Sequence, residues 1–179
     1  MVRTSKQTIA KPLQYTIDLA RISVGFIMFW AFIDKWLGLG YDTCATDNGV
    51  EVLCADAWAA GGSPTTGFLE FGAGGPFEAF FNSLAGFAVV DWLFMLGLLL
   101  GGVALLLGIG IKIAVAGSVL LFFLMWLASI PYDTNPFLTS HILYILILLT
   151  ALFANRSQQI GFGKQWRQTK LVKQYQLLE

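Results

Sequence analysis

The segment FAVVDWLFMLGLLLGGVALLLGIGIKIAVAGSVLLFFLMWLASI, residues 87–130, holds two charged side chains, Asp91 and Lys112, in 44 positions. Leu, Ala, Phe and Gly fill most of the rest, without the polar–apolar alternation that a barrel strand would show. At 1.5 Å per helical residue such a run is long enough to cross a hydrocarbon layer about 30 Å thick twice. The GIGIK sequence around Lys112 marks the place where it turns back. It therefore reads as two hydrophobic helices, residues 87–111 and 113–130, joined by a tight basic turn.

Working outward, two further apolar runs flank this pair. Residues 13–39 surround the heart ISVGFIMFWAFI at 22–33, and residues 137–154 contain HILYILILLTALFA. The first run is too long for the apolar core of a signal peptide and lacks a small-residue cleavage site, so it is expected to be retained as a span. The expected fold is all-α: one domain, residues 1–179, forming an integral membrane four-helix bundle with a long extracytoplasmic loop, residues 40–86, between helices 1 and 2. Composition agrees. Hydrophobic residues make up 56% and charged ones 12%, with a mean hydropathy of +0.69, whereas soluble chains carry about 25% charged residues.

The net charge of zero conceals a segregation. None of the 11 Lys and Arg residues falls between Lys35 and Lys112 or between Lys112 and Arg156, while eight of the 11 acids do, from Asp42 to Asp91 and at Asp133. Three basic groups remain: the arm with Arg3, Lys6 and Lys11, the turn with Lys112, and the tail 155–179. Four crossings put all three on one side, which the positive-inside rule makes cytoplasmic. The same segregation argues against nucleic-acid binding, which needs a basic exterior.

The expected outer loop is acidic in its first half and rich in Gly and Phe in its second. Cys44 and Cys54, the only cysteines, lie in that loop, so a disulfide is the default in an oxidising compartment. The alternative is a redox-active pair, although neither CxxC spacing nor an adjacent cation is present to lower a thiol pKa. PFEAFFNSLAG is expected to begin a short interfacial helix at Pro76, with Phe77, Phe80, Phe81 and Leu84 on one face. At the other end of the chain, Trp166, Leu171, Val172 and Tyr175 alternate with Lys164, Arg167, Lys170 and Lys173. This is either a basic amphipathic segment suited to membrane lipids or a plain topogenic tail.

Arg21 lies two turns inside the first span, where an unpaired charge costs about 2.5–3.5 kcal/mol. Asp18, three residues earlier on the same face, is the expected partner in a buried ion pair; Ser118 and Thr150 reach a similar depth. The alternative role is an anchor for an anion or headgroup. At the outer level, Asp34, Lys35 and Trp36 end the first span, Asp91 and Trp92 open the second, and Asn135 and His141 flank the start of the fourth; Trp126 and Tyr132 share the level. Such a ring of polar and aromatic groups suits a quinone head, with an apolar slot for the ring and proton-exchanging groups at its carbonyls. His141, the only His, is the natural proton carrier, and Asp34 or Lys35 would polarise the second carbonyl. The alternative is that the aromatics are interfacial anchors and the charges snorkel or pair locally. Gly97 and Gly101 form a GxxxG pattern, read as packing within the bundle rather than a homo-oligomer face. No metal-binding His/Cys cluster, phosphate loop or dinucleotide fingerprint is present.

RISVGFIMFWAFIDKW, GSPTTGFLEFGAGGPFEAFF, VDWLFMLGLLLGGVALLLGIG and NPFLTSHILYILILLTALFAN, taken in order, resemble the DoxX family of small four-span bacterial and archaeal membrane proteins, and within it the DoxD-like branch. The resemblance covers most of the chain from about Tyr15 onward. It implies a location in a prokaryotic cytoplasmic membrane. It also implies a role as the membrane subunit of a thiosulfate:quinone oxidoreductase, with quinone as co-substrate and a second, small subunit as partner. Lys35 is the one cation near the expected outer face, whose acidity repels a dianion, so the donor is left open between a small sulfur compound and a thiol. A function of another class stands beside this one, a non-catalytic membrane scaffold that assembles a partner complex.

Overall fold

The computed structural model describes residues 10–46, 49–130, 135 and 137–179. Arg3, Lys6, Tyr132 and Asp133, used in the sequence reading, lie outside them. Among the described residues the regular structure is helical apart from a two-residue antiparallel ladder, β1 (Ala45–Thr46) with β2 (Gly49–Val50).

Helix α1 spans Lys11–Leu37, with Pro12 in its first turn, where the missing N–H is no loss. It stops at Gly38, which takes a left-handed φ of 64° and donates its N–H to the Asp34 carbonyl at 2.7 Å. A Cβ at Gly38 would also run into the Cys44 sulfur, so glycine is required there twice over. After a loop come the five-residue α2 (Glu78–Asn82), then α3 (Ala88–Leu107), α4 (Ile111–Ala128) and α5 (Ser140–Ala154). Gly108 and Gly110, both at positive φ, make the α3–α4 turn. The tail carries two short helices, α6 (Gly163–Gln168) and α7 (Lys170–Gln174), broken at Thr169, whose hydroxyl caps α7.

Three of these helices, α1, α3 and α4, are long and apolar enough to cross a membrane. Helix α5 is equally apolar but has 15 residues, roughly 22 Å of rise. The four pack in a closed order, α1 on α3, α3 on α4, α4 on α5 and α5 on α1. Val24, Met28, Met95, Leu105, Val115, Phe122 and Leu148 fill the common core. Their outer faces are apolar as well: Leu19, Phe26, Leu93, Leu100, Leu120 and Leu143 are all exposed. A helix apolar all round is made for surroundings without water.

The α1–α3 crossing is the closest. A Cβ on Gly102 would lie 2.8 Å from the Phe29 amide nitrogen, and one on Gly25 would lie 2.9 Å from the Leu106 amide nitrogen. The GxxxG reading is thus half right: Gly101 meets Met28 and Ser118, but Gly97 has only an ordinary contact with Leu121. The small residues that set the crossing are Gly25 and Gly102.

The start of α1, the α3–α4 turn and the tail share one end of the molecule, tied by Phe162 N–H to the Leu107 carbonyl (2.8 Å) and by Lys112 Nζ to the Gln176 carbonyl (2.9 Å) and the Glu179 carboxylate (3.1 Å). Segment 38–87 occupies the other end. There the expected short helix at Pro76 is present, as a 3-10 turn at Gly75–Phe77 running directly into α2, but its aromatics divide by burial instead of forming one exposed face. Phe81 is buried with Leu69 and Ala128 in a small second core, whereas Phe77 and Phe80 are exposed.

Candidate functional site

At the tail end, Gln14, Asp18 and Arg21 lie one above another along α1 and are all buried. Burial of three polar groups in an apolar bundle demands partners, and segment 158–160 after α5 supplies them. The Asp18 carboxylate accepts the N–H of Gln159 (2.6 Å) and of Ile160 (2.9 Å), plus the Gln14 amide (2.9 Å). The Arg21 guanidinium donates to the Ile160 carbonyl (2.8 Å) and to the Leu105 carbonyl of α3. Asp18 and Arg21 therefore grip the N–H and the C=O of the same residue, and the guanidinium also pins α3.

This corrects the expected ion pair. Among the described residues the direct ion pairs are Lys35–Asp42 and Lys112–Glu179. Asp18 and Arg21 offset each other's charge through space, while their hydrogen bonds go to the backbone and, for Asp18, also to the Gln14 side chain. Ser118 and Thr150 are not Arg21's partners either. Ser118 lies against Gly101, and Thr150 donates back to the Leu146 carbonyl (2.8 Å). Gln158 completes the cluster, donating to the Ile160 carbonyl (2.8 Å) within a pocket that only glycine at 108, 161 and 163 leaves open. The sequence signal for it is a Gln followed by a Gly-x-Gly three residues later, facing a glycine turn.

At the opposite end the expected polar residues are each engaged locally. The Asp34 carboxylate is buried and accepts three backbone N–H groups, from Tyr41 (3.2 Å), Asp42 (3.0 Å) and Thr43 (3.0 Å), folding the chain back over the end of α1. Lys35 pairs with Asp42. Cys44 and Cys54 form the disulfide, with sulfurs 2.05 Å apart. The Asp91 carboxylate accepts the hydroxyls of Ser63 (2.8 Å) and Thr65 (2.6 Å), and Thr66 reaches Ser63 and the Gly86 N–H. The SPTT sequence at 63–66 is thus the tether that fixes the loop to α3. Trp92 meets Trp58 edge to face at 4.7 Å, and Trp36 meets Phe32 at 5.6 Å. Asn135 accepts the N–H groups of Phe137 and Leu138, capping the approach to α5.

At this end two buried polar atoms, the Thr139 hydroxyl and His141 Nδ1, have no hydrogen-bond partner among the described residues, a state shared elsewhere by single atoms of Gln14, Arg21, Ser118 and Gln158; the His141 ring lies 6.1 Å from that of Phe122, which in turn is 5.2 Å from Tyr144. A polar atom in this state is rare in folded chains and calls for an explanation. The expected constellation is therefore not brought together through direct contacts: Asp34, Asp91 and Asn135 hold backbone or loop hydroxyls, while His141 faces aromatic rings of α4 and α5. Two open clefts, of about 370 and 220 Å³, lie elsewhere, one bordered by Lys112, Phe153 and Asn155, the other between α1 and α5 beside Thr16 and Thr150.

No protein-family model matches the chain, and neither curated proteins nor solved structures give a match.

Proposed function

We propose that this chain is a four-span integral membrane bundle with its basic end in the cytoplasm and its disulfide-bearing loop outside. In this reading it serves a quinone-linked oxidoreductase of the kind the DoxD-like resemblance implies. The apolar outer faces of α1, α3, α4 and α5 support the four crossings. The gathering of Lys11, Lys112 and the basic tail at one end supports the orientation.

The observation that carries the quinone reading is the unpartnered Nδ1 of His141 beside Phe122 and Tyr144. A quinone needs an apolar ring contact and, at a carbonyl, a group that donates or accepts a proton. Its reduction takes up two electrons and two protons, and imidazole is the side chain suited to pass protons near neutral pH. The residues fit one carbonyl: with Asp34 and Asn135 engaged by backbone amides, His141 and the neighbouring Thr139 hydroxyl are left at that end to serve it, and of the two the imidazole can pass a proton. The two electrons come from the donor, a small sulfur compound or thiol outside the membrane, and the resemblance implies that a second, small subunit works with this one. The test is binding of a quinone analogue to the purified protein in detergent. His141→Ala should weaken it at least about ten-fold, the equivalent of one hydrogen bond to a buried polar group, with the melting temperature held.

The scaffold reading is favoured by a different observation. Asp18, Arg21, Asp34 and Asp91 all hold loops or the tail in fixed positions, as a surface that docks a partner requires. No quinone binding by the wild-type protein, together with a stably co-purifying partner, would select it.

A further inference from the structure

Segment 163–178 contains four cations, Lys164, Arg167, Lys170 and Lys173, and no acid. Arg167 is partly buried and donates to the Asn155 carbonyl, while the three lysines are exposed and make no ion pair among the described residues. Large apolar side chains stand exposed between and beyond them: Leu171 (49%), Tyr175 (54%) and Leu177 (70%). This is unusual for a tail that is otherwise folded, with Val172 buried, the Trp166 indole donating to the Leu178 carbonyl (2.6 Å), and Lys112 holding residues 176–179 against the start of α4. The tail is thus fixed where the apolar helices end, beside Phe153, which is 84% exposed in the last turn of α5.

From these observations we infer that the tail is a docking surface for the anionic headgroups of the bilayer in which the bundle sits. Lys164, Lys170 and Lys173 meet lipid phosphates, and Leu171, Tyr175 and Leu177 enter the interfacial layer. Three observations favour a lipid surface over an acidic protein. The three lysines have no ion-pair partner among the described residues, the apolar groups between and beyond them are of the size that interfacial segments bury, and the surface continues directly from the apolar faces of the helices. The inference rests on the membrane reading but not on the quinone reading.

The experiment uses the full chain with Leu177→Cys carrying an environment-sensitive thiol dye; the native cysteines are disulfide-bonded, so the label is unique. The protein is reconstituted into vesicles of phosphatidylcholine alone, or with phosphatidylglycerol as minor component. Emission should shift to the blue only with the anionic lipid and return in molar salt, which shortens the screening length to about 3 Å. In the Lys164→Gln, Lys170→Gln, Lys173→Gln variant the docking equilibrium should fall on the order of one hundred-fold, from three cations near the surface. Equal emission in both vesicles, or a shift that survives the triple substitution, overturns the inference while leaving the bundle in the membrane. Failure of the protein to float with either vesicle overturns both.

Discussion

Asp34 and Arg21 show how a single buried charge can organise a chain over a distance. The Asp34 carboxylate gathers three loop amides, each a charge-assisted bond in surroundings where water cannot replace it. Asp34→Asn keeps one acceptor oxygen and loses the charge. It should destabilise the protein by about 1–3 kcal/mol, seen as a lower melting temperature in detergent; an unchanged temperature would mean the amides are solvated. Arg21 holds carbonyls of α3 and of the segment after α5 with two separate nitrogens. Arg21→Lys, with one point charge in place of a planar fork, cannot span both. Arg21→Met leaves Asp18 buried without a counter-charge and should cost about 3–5 kcal/mol. Limited proteolysis reads the difference, with the tail cut fastest in Arg21→Met, more slowly in Arg21→Lys and slowest in wild type. The need for partners was legible from sequence, since a charge two turns inside an apolar run cannot stay alone. Their identity was not. They are backbone groups of residues 41–43, 105 and 160, and a backbone amide carries no sequence signature.

The helices themselves were the most legible elements, because hydropathy over a long window does not depend on tertiary detail. The first span ends two residues before its expected limit because Gly38 takes a left-handed cap, and the second ends at Leu107 because Gly108 does the same. Less legible was which glycines matter. The GxxxG pattern drew the eye to Gly97, yet the contact that sets the α1–α3 separation lies at Gly102 and Gly25. A spacing rule picks out a face of one helix but cannot know where the neighbour crosses it. The structure therefore separates two substitutions that the pattern would rank the other way. Gly102→Ala places a methyl against the α1 backbone and should cost about 1–3 kcal/mol by overpacking. Gly97→Ala fills an ordinary contact distance and should be neutral or slightly stabilising through helix propensity. Melting curves of the two variants decide it, and equal losses would place the crossing elsewhere.

For the molecule as a whole, the tethers described above divide between two ends. One is closed by Asp34, Asp91 and the disulfide, the other by the grip on Ile160 and by Lys112. With the bundle in a membrane, these ends face different compartments. A cysteine placed at Phe71, which is 86% exposed, should react with an impermeant maleimide on intact cells. One placed at Lys173 should react only after permeabilisation; the opposite pattern would invert the topology. Replacing Cys44 and Cys54 by Ser opens a ten-residue separation and should lower stability by about 2–3 kcal/mol on the chain-entropy model. Because the two ends are closed independently, that loss should add to the loss from Arg21→Met without coupling.

The grip on Ile160 also imposes an order on biogenesis. Arg21 and Asp18 leave the ribosome early, but their partner is 139 and 142 positions downstream. At 5–20 residues per second this is a delay on the order of ten seconds. During it α1 waits with Asp18 held only by Gln14 and with Arg21 lacking its second carbonyl. Nascent chains halted before Ile160 should therefore be prey for membrane quality-control proteases, whereas chains elongated well past it close the grip and escape, so that a later segment certifies an earlier one.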